Sequence, residues 1–527
     1  MSALMSAQTP LHAGITGVQA VDPLALAPAI ATLVTIVVLV LVDAVAPAAA
    51  RLRRVHDVVA LTGLGVAGVF VAVLGVTASG RDLGPFAGAA VRSTVCVPGG
   101  GFVLPSCSFV VSPLTLTLQA VVVVGAIVCL LLALDGPGAR DRSVHHLLLL
   151  ATVTGALVLA GSRDLAILVV AFETASLPVI GLVALRRDAQ GAQGAVTLLL
   201  TAVASLGLLL VGVAMLLLAT GSLHLDRIAA AVGDPTLPDS VRVVAVAGTL
   251  LAVAGIAFKL SVVPFHLWTP DTYAGAPLPV AAFLSVVSKA AGLAAVVVLL
   301  GVGLPALGDA WSPAVAVLAA LTLTVGNLVA LRQTVAVRLL AWSTVAQAGW
   351  VVLPLGAVAS GTPGDARQAV AASVGYLVAY GVASLLAFSV VVLLARHHPA
   401  GEDHTLEAYR GLARREPVAA GALGFALLCL AGLPPGLVGL VAKVVAVRPL
   451  VDAGVWWLAV VAAANVALGV AYYLRWTALL VVRPTATPPT WRVRPAEGIA
   501  LGMSLALCVA FSVLPQVVAG LVPTALR

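Results

Sequence analysis

Apolar runs long enough to cross a bilayer recur along this 527-residue chain from residue 24 to residue 520, and they decide its class before any motif is considered. A helix rises 1.5 Å per residue, so roughly 18 to 25 apolar residues cover about 30 Å of hydrocarbon. Fourteen such runs are expected, over 24–42, 58–78, 112–134, 145–161, 164–185, 194–219, 242–263, 279–301, 313–331, 337–357, 369–395, 417–447, 454–474 and 496–520. With 61% hydrophobic and 9% charged residues and a mean hydropathy of +1.14, a soluble core of this length could not hide the apolar surface. The expected fold class is an all-α polytopic membrane protein.

Charge sets the expected orientation. The connections 43–57, 135–144, 186–193, 264–278, 332–336, 396–416 and 475–495, with their adjacent helix ends, hold seventeen arginines, and the opposite side holds eight. The positive-inside rule then places both termini on the external side. The net charge of +7 follows this topology rather than forming a nucleic-acid stripe, so no nucleic-acid partner is expected. The first residues, MSALMSAQTPLHAG, lack a basic n-region, and no cleaved signal peptide is read there.

The lysines break the pattern. Only three occur, Lys259, Lys289 and Lys443, and all lie inside apolar runs, as does the acid Glu173. A Lys at the centre of a membrane helix costs about 2.5 to 3.5 kcal/mol on insertion scales, which makes such groups candidates for an ion or proton path. Burial disfavours either charge and pairing favours both, so a Glu/Lys set can switch. At an effective dielectric near 20, a pair about 7 Å apart gains about 2.4 kcal/mol, whereas moving a proton against about 150 mV costs about 3.5 kcal/mol. One acid cannot neutralise three lysines, which argues against a purely static set of ion pairs. Ser285, Ser288, Asn327, Thr344 and Gln347 could line a hydrated relay beside them, although each taken singly is more simply a helix-packing hydrogen bond.

Prolines sit beside two of the lysines, in FKLSVVPFHLW and LAGLPPGLVGLVAKVV. Pro264 should break helix seven just after Lys259, and Pro434 with Pro435 should break helix twelve ahead of Lys443. Broken helices at membrane depth mark transport sites when protein or water satisfies the freed backbone.

Other features lead nowhere or stay open. The string Gly63-Leu-Gly-Val-Ala-Gly68 has the spacing of a dinucleotide fingerprint but lies in a membrane span with no strand before it, so it is read as helix packing. His397, His398, Glu402, Asp403 and His404 lie in a charged connection without fixed ligand geometry, and no metal site is assigned. Cys129, Cys429 and Cys508 are read as packing residues. Cys96 and Cys107 share the external loop 79–111, where a disulfide and two free thiols are equally open.

The run FKLSVVPFHLWTPDTYAGAPLPVAAFLSVVSKAAG, residues 258–292, resembles the antiporter-like membrane subunits of respiratory complex I. Tyr273, Gly275, Ala276 and Pro277, followed by AFLS and Ser288-Lys289, resemble the N type rather than the L and M types. FETASLP, RLLAWSTVAQAG, YLVAY, GLARREP, LAGLPP and YYLR extend the likeness over most of the chain after residue 165. Gln347 stands where relatives often carry His, Val196 replaces a Lys that often opens helix six, and Lys443 lies one residue further from the double proline than expected.

The resemblance implies fourteen helices with two inverted five-helix repeats. It divides the chain into an N-terminal segment 1–144, repeats at 145–301 and 313–474, and a C-terminal segment 475–527. It implies proton translocation across the bacterial plasma membrane through Glu173, Lys259, Lys289 and Lys443, with His266 a further possible relay group. Quinone reduction in partner subunits would drive it. No cofactor is expected on this chain; NADH, FMN, iron–sulfur clusters and quinone belong to partners, with subunits M and K and membrane lipid as expected neighbours. The alternatives are a subunit of a multisubunit cation/proton antiporter and a scaffold whose charges only fix helix register.

Overall fold

The computed structural model describes residues 21–45, 52–78, 91–97, 106–134, 142–358, 363–396, 404–483 and 493–516. Among them thirteen helices are long and apolar enough to cross a membrane. In chain order these are Pro23–Val45, Arg54–Ala78, Pro113–Ala133, Arg142–Gly161, Leu165–Ala184, Ala189–Thr220, Asp239–Leu260, Leu278–Gly303, Pro305–Ala330, Ala336–Ala357, Gly364–Ala395, Trp456–Val481 and Pro495–Val513. The fourteenth expected span, twelfth in order, is divided into Pro417–Ala431 and Leu437–Asp452, so neither half reaches the length of a single crossing helix. The protein is a multi-pass membrane protein.

Helix starts follow local chemistry. Ser112 caps the third span with Pro113 in its first turn, and Asp164 and Asp188 cap the fifth and sixth by accepting from backbone N–H groups. The eighth and eleventh spans are buried throughout their apolar stretches, whereas the first, second, sixth and fourteenth leave most of theirs open. A helix that is apolar all round belongs at the centre of a bundle, and Lys289 sits on the eighth span in that centre.

Among the described residues three spans are interrupted. The seventh ends at Leu260, Ser261 adopts a left-handed conformation (φ 63°, ψ 38°), and the chain re-enters a helix at Trp268–Gly275. The region 264–278, expected as a connection, is therefore largely a second half-helix, because Pro264 blocks continuation without ending the apolar packing. The twelfth breaks at Gly432 (φ 79°), ahead of the double proline. The fifth, for which no break was expected, divides into Leu165–Thr174 and Leu177–Ala184. Pro178 explains it: proline has no N–H for the carbonyl of Thr174, four residues back, and crowds it. The eighth span carries a π-helical turn at Leu284–Ser288, immediately before Lys289.

Among the described residues one feature departs from all-α. Arg92–Val97 and Ser106–Val111 form an antiparallel hairpin with Cys96 opposite Cys107, and the two are joined by a disulfide. Arg92 pairs with Asp22 at 2.9 Å, and Arg227 donates to Ser106 at 2.8 Å, so the hairpin is tied to the helix ends around it. The ring of Phe109 occupies the space where Gly161 has no side chain.

Glycines explain two close approaches. A Cβ at Gly63 would collide with Thr35, which supports a packing role for the glycine string. A Cβ at Gly439 would land on the Cys429 carbonyl oxygen, so the two halves of the twelfth span pack this closely only because that residue is glycine. Of the His/Asp/Glu cluster near residue 400, only His404 is described; the others lie outside the described residues.

Gly439→Ala should lower the stability of the folded chain by about 1 to 3 kcal/mol through overpacking, read as a lower unfolding midpoint. A midpoint unchanged within error would contradict this packing. For the hairpin, a thiol reagent applied to the unfolded chain should leave Cys96 and Cys107 unmodified until a reductant is added, giving two further mass additions. Modification of both before reduction would show them unpaired.

Candidate functional site

The three lysines are 3%, 1% and 7% exposed in chain order, so all three ammonium groups must find acceptors inside the protein. Each finds them at the C-terminal end of an interrupted helix. Lys259 Nζ donates to the carbonyl of Ala175, which caps the half-helix Leu165–Thr174, and to Ser176 Oγ, both at 2.8 Å. Lys289 Nζ donates to the Lys259 carbonyl, in the last turn of Asp239–Leu260, at 3.4 Å, and to Ser261 Oγ. Lys443 Nζ donates to the carbonyls of Leu430 and Ala431, the last two residues of Pro417–Ala431, at 3.0 and 2.5 Å.

The terminal carbonyls of a helix lack intrahelical donors and carry the negative end of its dipole, about half an elementary charge. The breaks thus create acceptors where the bilayer supplies none. An aromatic ring adds to each site: Phe172 lies 5.5 Å from Lys259 Nζ, Trp268 5.1 Å from Lys289 Nζ and Trp350 5.6 Å from Lys443 Nζ.

Glu173 is half-buried in the last turn of Leu165–Thr174, two residues before Ala175. Its Oε1 is buried without a hydrogen-bond partner, and no ion pair within 4.0 Å joins it to Lys259. The only acid in the set and its nearest lysine therefore lie side by side but unpaired.

The expected relay residues separate into groups. Ser288 lines a small cavity with Ser176 and Lys259, beside the first lysine. Thr344 accepts from Tyr380 at 3.1 Å, and Tyr380 also donates to the carbonyl of Ser285 at 2.9 Å. Gln347 accepts from Tyr376 at 2.5 Å and donates to Tyr473 at 3.1 Å and to the Leu430 carbonyl at 3.3 Å. It thereby shares an acceptor with Lys443. Asn327 stands further off, bonded to Asn465 at 3.0 Å and to Tyr472 at 3.0 Å. His266 packs edge-on against Trp342, and its buried Nδ1 has no partner.

Sequence reading passed over Ser176 and Ser261, and it treated the tyrosines only as a pattern. Tyr376 and Tyr380 are four residues apart on one face of a fully buried helix, a spacing that could have flagged them. Nothing comparable marks the serines, because their role depends on backbone breaks. Among the described residues no group of three or more His, Cys, Asp or Glu converges on one point.

Residues 162–469 match the family described as NADH:quinone oxidoreductase/Mrp antiporter, TM. The chain is 43% identical over 479 residues to NADH-quinone oxidoreductase subunit N 2 of Streptomyces griseus subsp. griseus, covering 90% of this chain and 85% of the relative. It superposes on a chain of respiratory complex I from Thermus thermophilus, solved with bound aureothin, with a TM-score of 0.72 and 30% identity. That match covers 94% of this chain and 98% of the other. A chain of the Mrp complex from a Dietzia species shares the fold with a TM-score of 0.80, at 21% identity and with 96% and 97% of the two chains covered. This chain belongs to the NADH:quinone oxidoreductase/Mrp antiporter membrane family, within the branch of the NADH-quinone oxidoreductase subunits N.

Proposed function

We propose that this chain is a proton-translocating membrane-arm subunit of an NADH–quinone oxidoreductase, working as part of that translocase while the redox steps occur in partner subunits. One observation carries the reading: three buried lysines rest on uncharged helix-end carbonyls, and the one beside an acid, Lys259, does not pair with it. A lysine so placed can lose its proton without leaving a carboxylate uncompensated, and it can regain charge when Glu173 or a neighbour approaches. Static scaffolding would favour the pairing that is absent.

In this reading Glu173 and Lys259 form the switching pair, and Lys289 follows next in the row. Tyr380, Thr344, Tyr376 and Gln347 bridge towards Lys443 with hydroxyls and amides. Gln347 cannot take up a proton as a basic side chain would, so its part is to hold Tyr376 and Tyr473 in place. The chain spans the plasma membrane with both termini external, as its arginine distribution favours. It contacts further membrane-arm subunits, of types M and K, and lipid. NADH, FMN, iron–sulfur clusters and quinone bind in partner subunits. The interrupted seventh and twelfth spans, each beside a lysine, fit two inverted five-helix repeats. A cation/proton antiporter subunit is the second reading, favoured only by the shared fold.

Glu173→Gln should reduce protons pumped per electron to under about a tenth in a fully assembled complex, since it removes the only acid in the set. Unchanged pumping there would remove Glu173 from the mechanism. Lys259→Arg should be nearly as damaging as Lys259→Met, because a guanidinium keeps its proton where a lysine can release it. Near-normal pumping by the Arg variant at matched assembly would favour a static salt-bridge role.

A further inference from the structure

Lys259 is the only one of the three lysines with an acid on the same half-helix end that holds it. Glu173 closes the last turn of Leu165–Thr174, and Ala175 with Ser176 forms the break that follows. Two alternative resting places for one ammonium therefore lie within four residues. In the structure Nζ occupies the second, donating to Ala175 O and Ser176 Oγ, while the buried Oε1 of Glu173 has no partner.

The two places differ chemically. A carboxylate can only accept, and it holds the lysine as an ammonium ion. A serine hydroxyl accepts from an ammonium and can also donate to the lone pair of a neutral amine. Ser176 has the freedom to do both, since its hydroxyl hydrogen now goes to the Phe172 carbonyl at 2.6 Å and can turn from that oxygen to Nζ. Its position is fixed by the break: Gly155 of the fourth span lies directly against the backbone of Ala175 and Thr174, where a Cβ would collide. The cavity beside Ser176, lined also by Lys259 and Ser288, leaves space next to the amine.

We infer that Ser176 is a positioning residue for proton transfer, a neutral berth that keeps Lys259 apart from Glu173 through both of its protonation states. Resting on the proposed translocation, it deepens that reading by assigning the open position of the Glu173–Lys259 switch to a particular side chain. Without the hydroxyl the berth keeps one carbonyl, and the lysine shifts towards the carboxylate. Lys259 then holds its proton more tightly, and release needs a higher pH. The other groups facing Lys259 are Lys289, from the eighth span, and the rings of Phe172 and Trp268; the sixth span presents only Leu198 and Ala202 to the cavity. Ser288, also on the eighth span, brings the one other hydroxyl to the cavity, but Lys259 Nζ donates only to Ala175 O and Ser176 Oγ.

The test uses the assembled complex in sealed vesicles, with protons pumped per electron recorded across pH. In Ser176→Ala the acid limb of the profile should move up by about one pH unit, with quinone reduction uncoupled from pumping to the same extent. Ser176→Thr, which keeps the hydroxyl, should follow the parent profile. Ser176→Cys keeps the size with a weak acceptor and should move in the same direction as Ala; it serves where the Ala variant fails to assemble. An acid limb that stays in place or moves down in the Ala or Cys variant overturns the inference, as does a Thr variant displaced as far as Ala. Glu173→Gln in the same preparations separates the two levels. If it abolishes pumping while Ser176→Ala keeps the parent profile, only the role of Ser176 fails. If Glu173→Gln pumps normally, the translocation reading fails with it.

Discussion

An ammonium group and an interrupted helix are each costly in hydrocarbon, and this protein satisfies one with the other. A break frees carbonyls that water cannot reach, at several kcal/mol for each unsatisfied group. A lysine brings donors that the same surroundings leave empty. At Ala175, at the end of Asp239–Leu260 and at Leu430–Ala431 the two demands meet. The rest of the arrangement depends on these meetings: glycines that let half-helices approach, prolines that stop them, and a central eighth span that lies against the seventh.

Such contacts give charge without commitment. A carboxylate partner would fix an ammonium as charged, whereas a helix end offers about half a charge and one or two acceptors. That suits the change of protonation that the proposed translocation asks of these lysines. The hydroxyl and amide network around Tyr380, Thr344, Tyr376 and Gln347 extends the same principle, placing groups able to reorient between the first-half lysines and Lys443.

The membrane class, the spans and the interruptions at Pro264 and Pro434–Pro435 were legible because hydropathy and proline chemistry act locally. Lys259, Lys289, Lys443 and Glu173 stood out because charge is rare in such runs. The break at Ala175–Ser176 was less visible, since Pro178 alone is often tolerated in a membrane helix; neighbouring Gly155 decides what packs there, and it lies on another span. The hairpin was hidden in a glycine-rich loop whose strands are short. Ser176 and Ser261 were unreadable as site residues, for their importance comes from backbone geometry rather than residue type.

The acceptors of Lys443 are main-chain oxygens, and that has a consequence for how the site can change. No substitution at Leu430 or Ala431 deletes a carbonyl, so replacing side chains one by one would leave both ligands in place and make the lysine look solitary. The site is written in where the chain turns, at Gly432 and the prolines behind it. Inherited variation could alter those two oxygens only by moving the turn, through an insertion, a deletion or the loss of the residues that bend the chain, so the anchoring of this charge is protected from point mutation at the very positions that provide it.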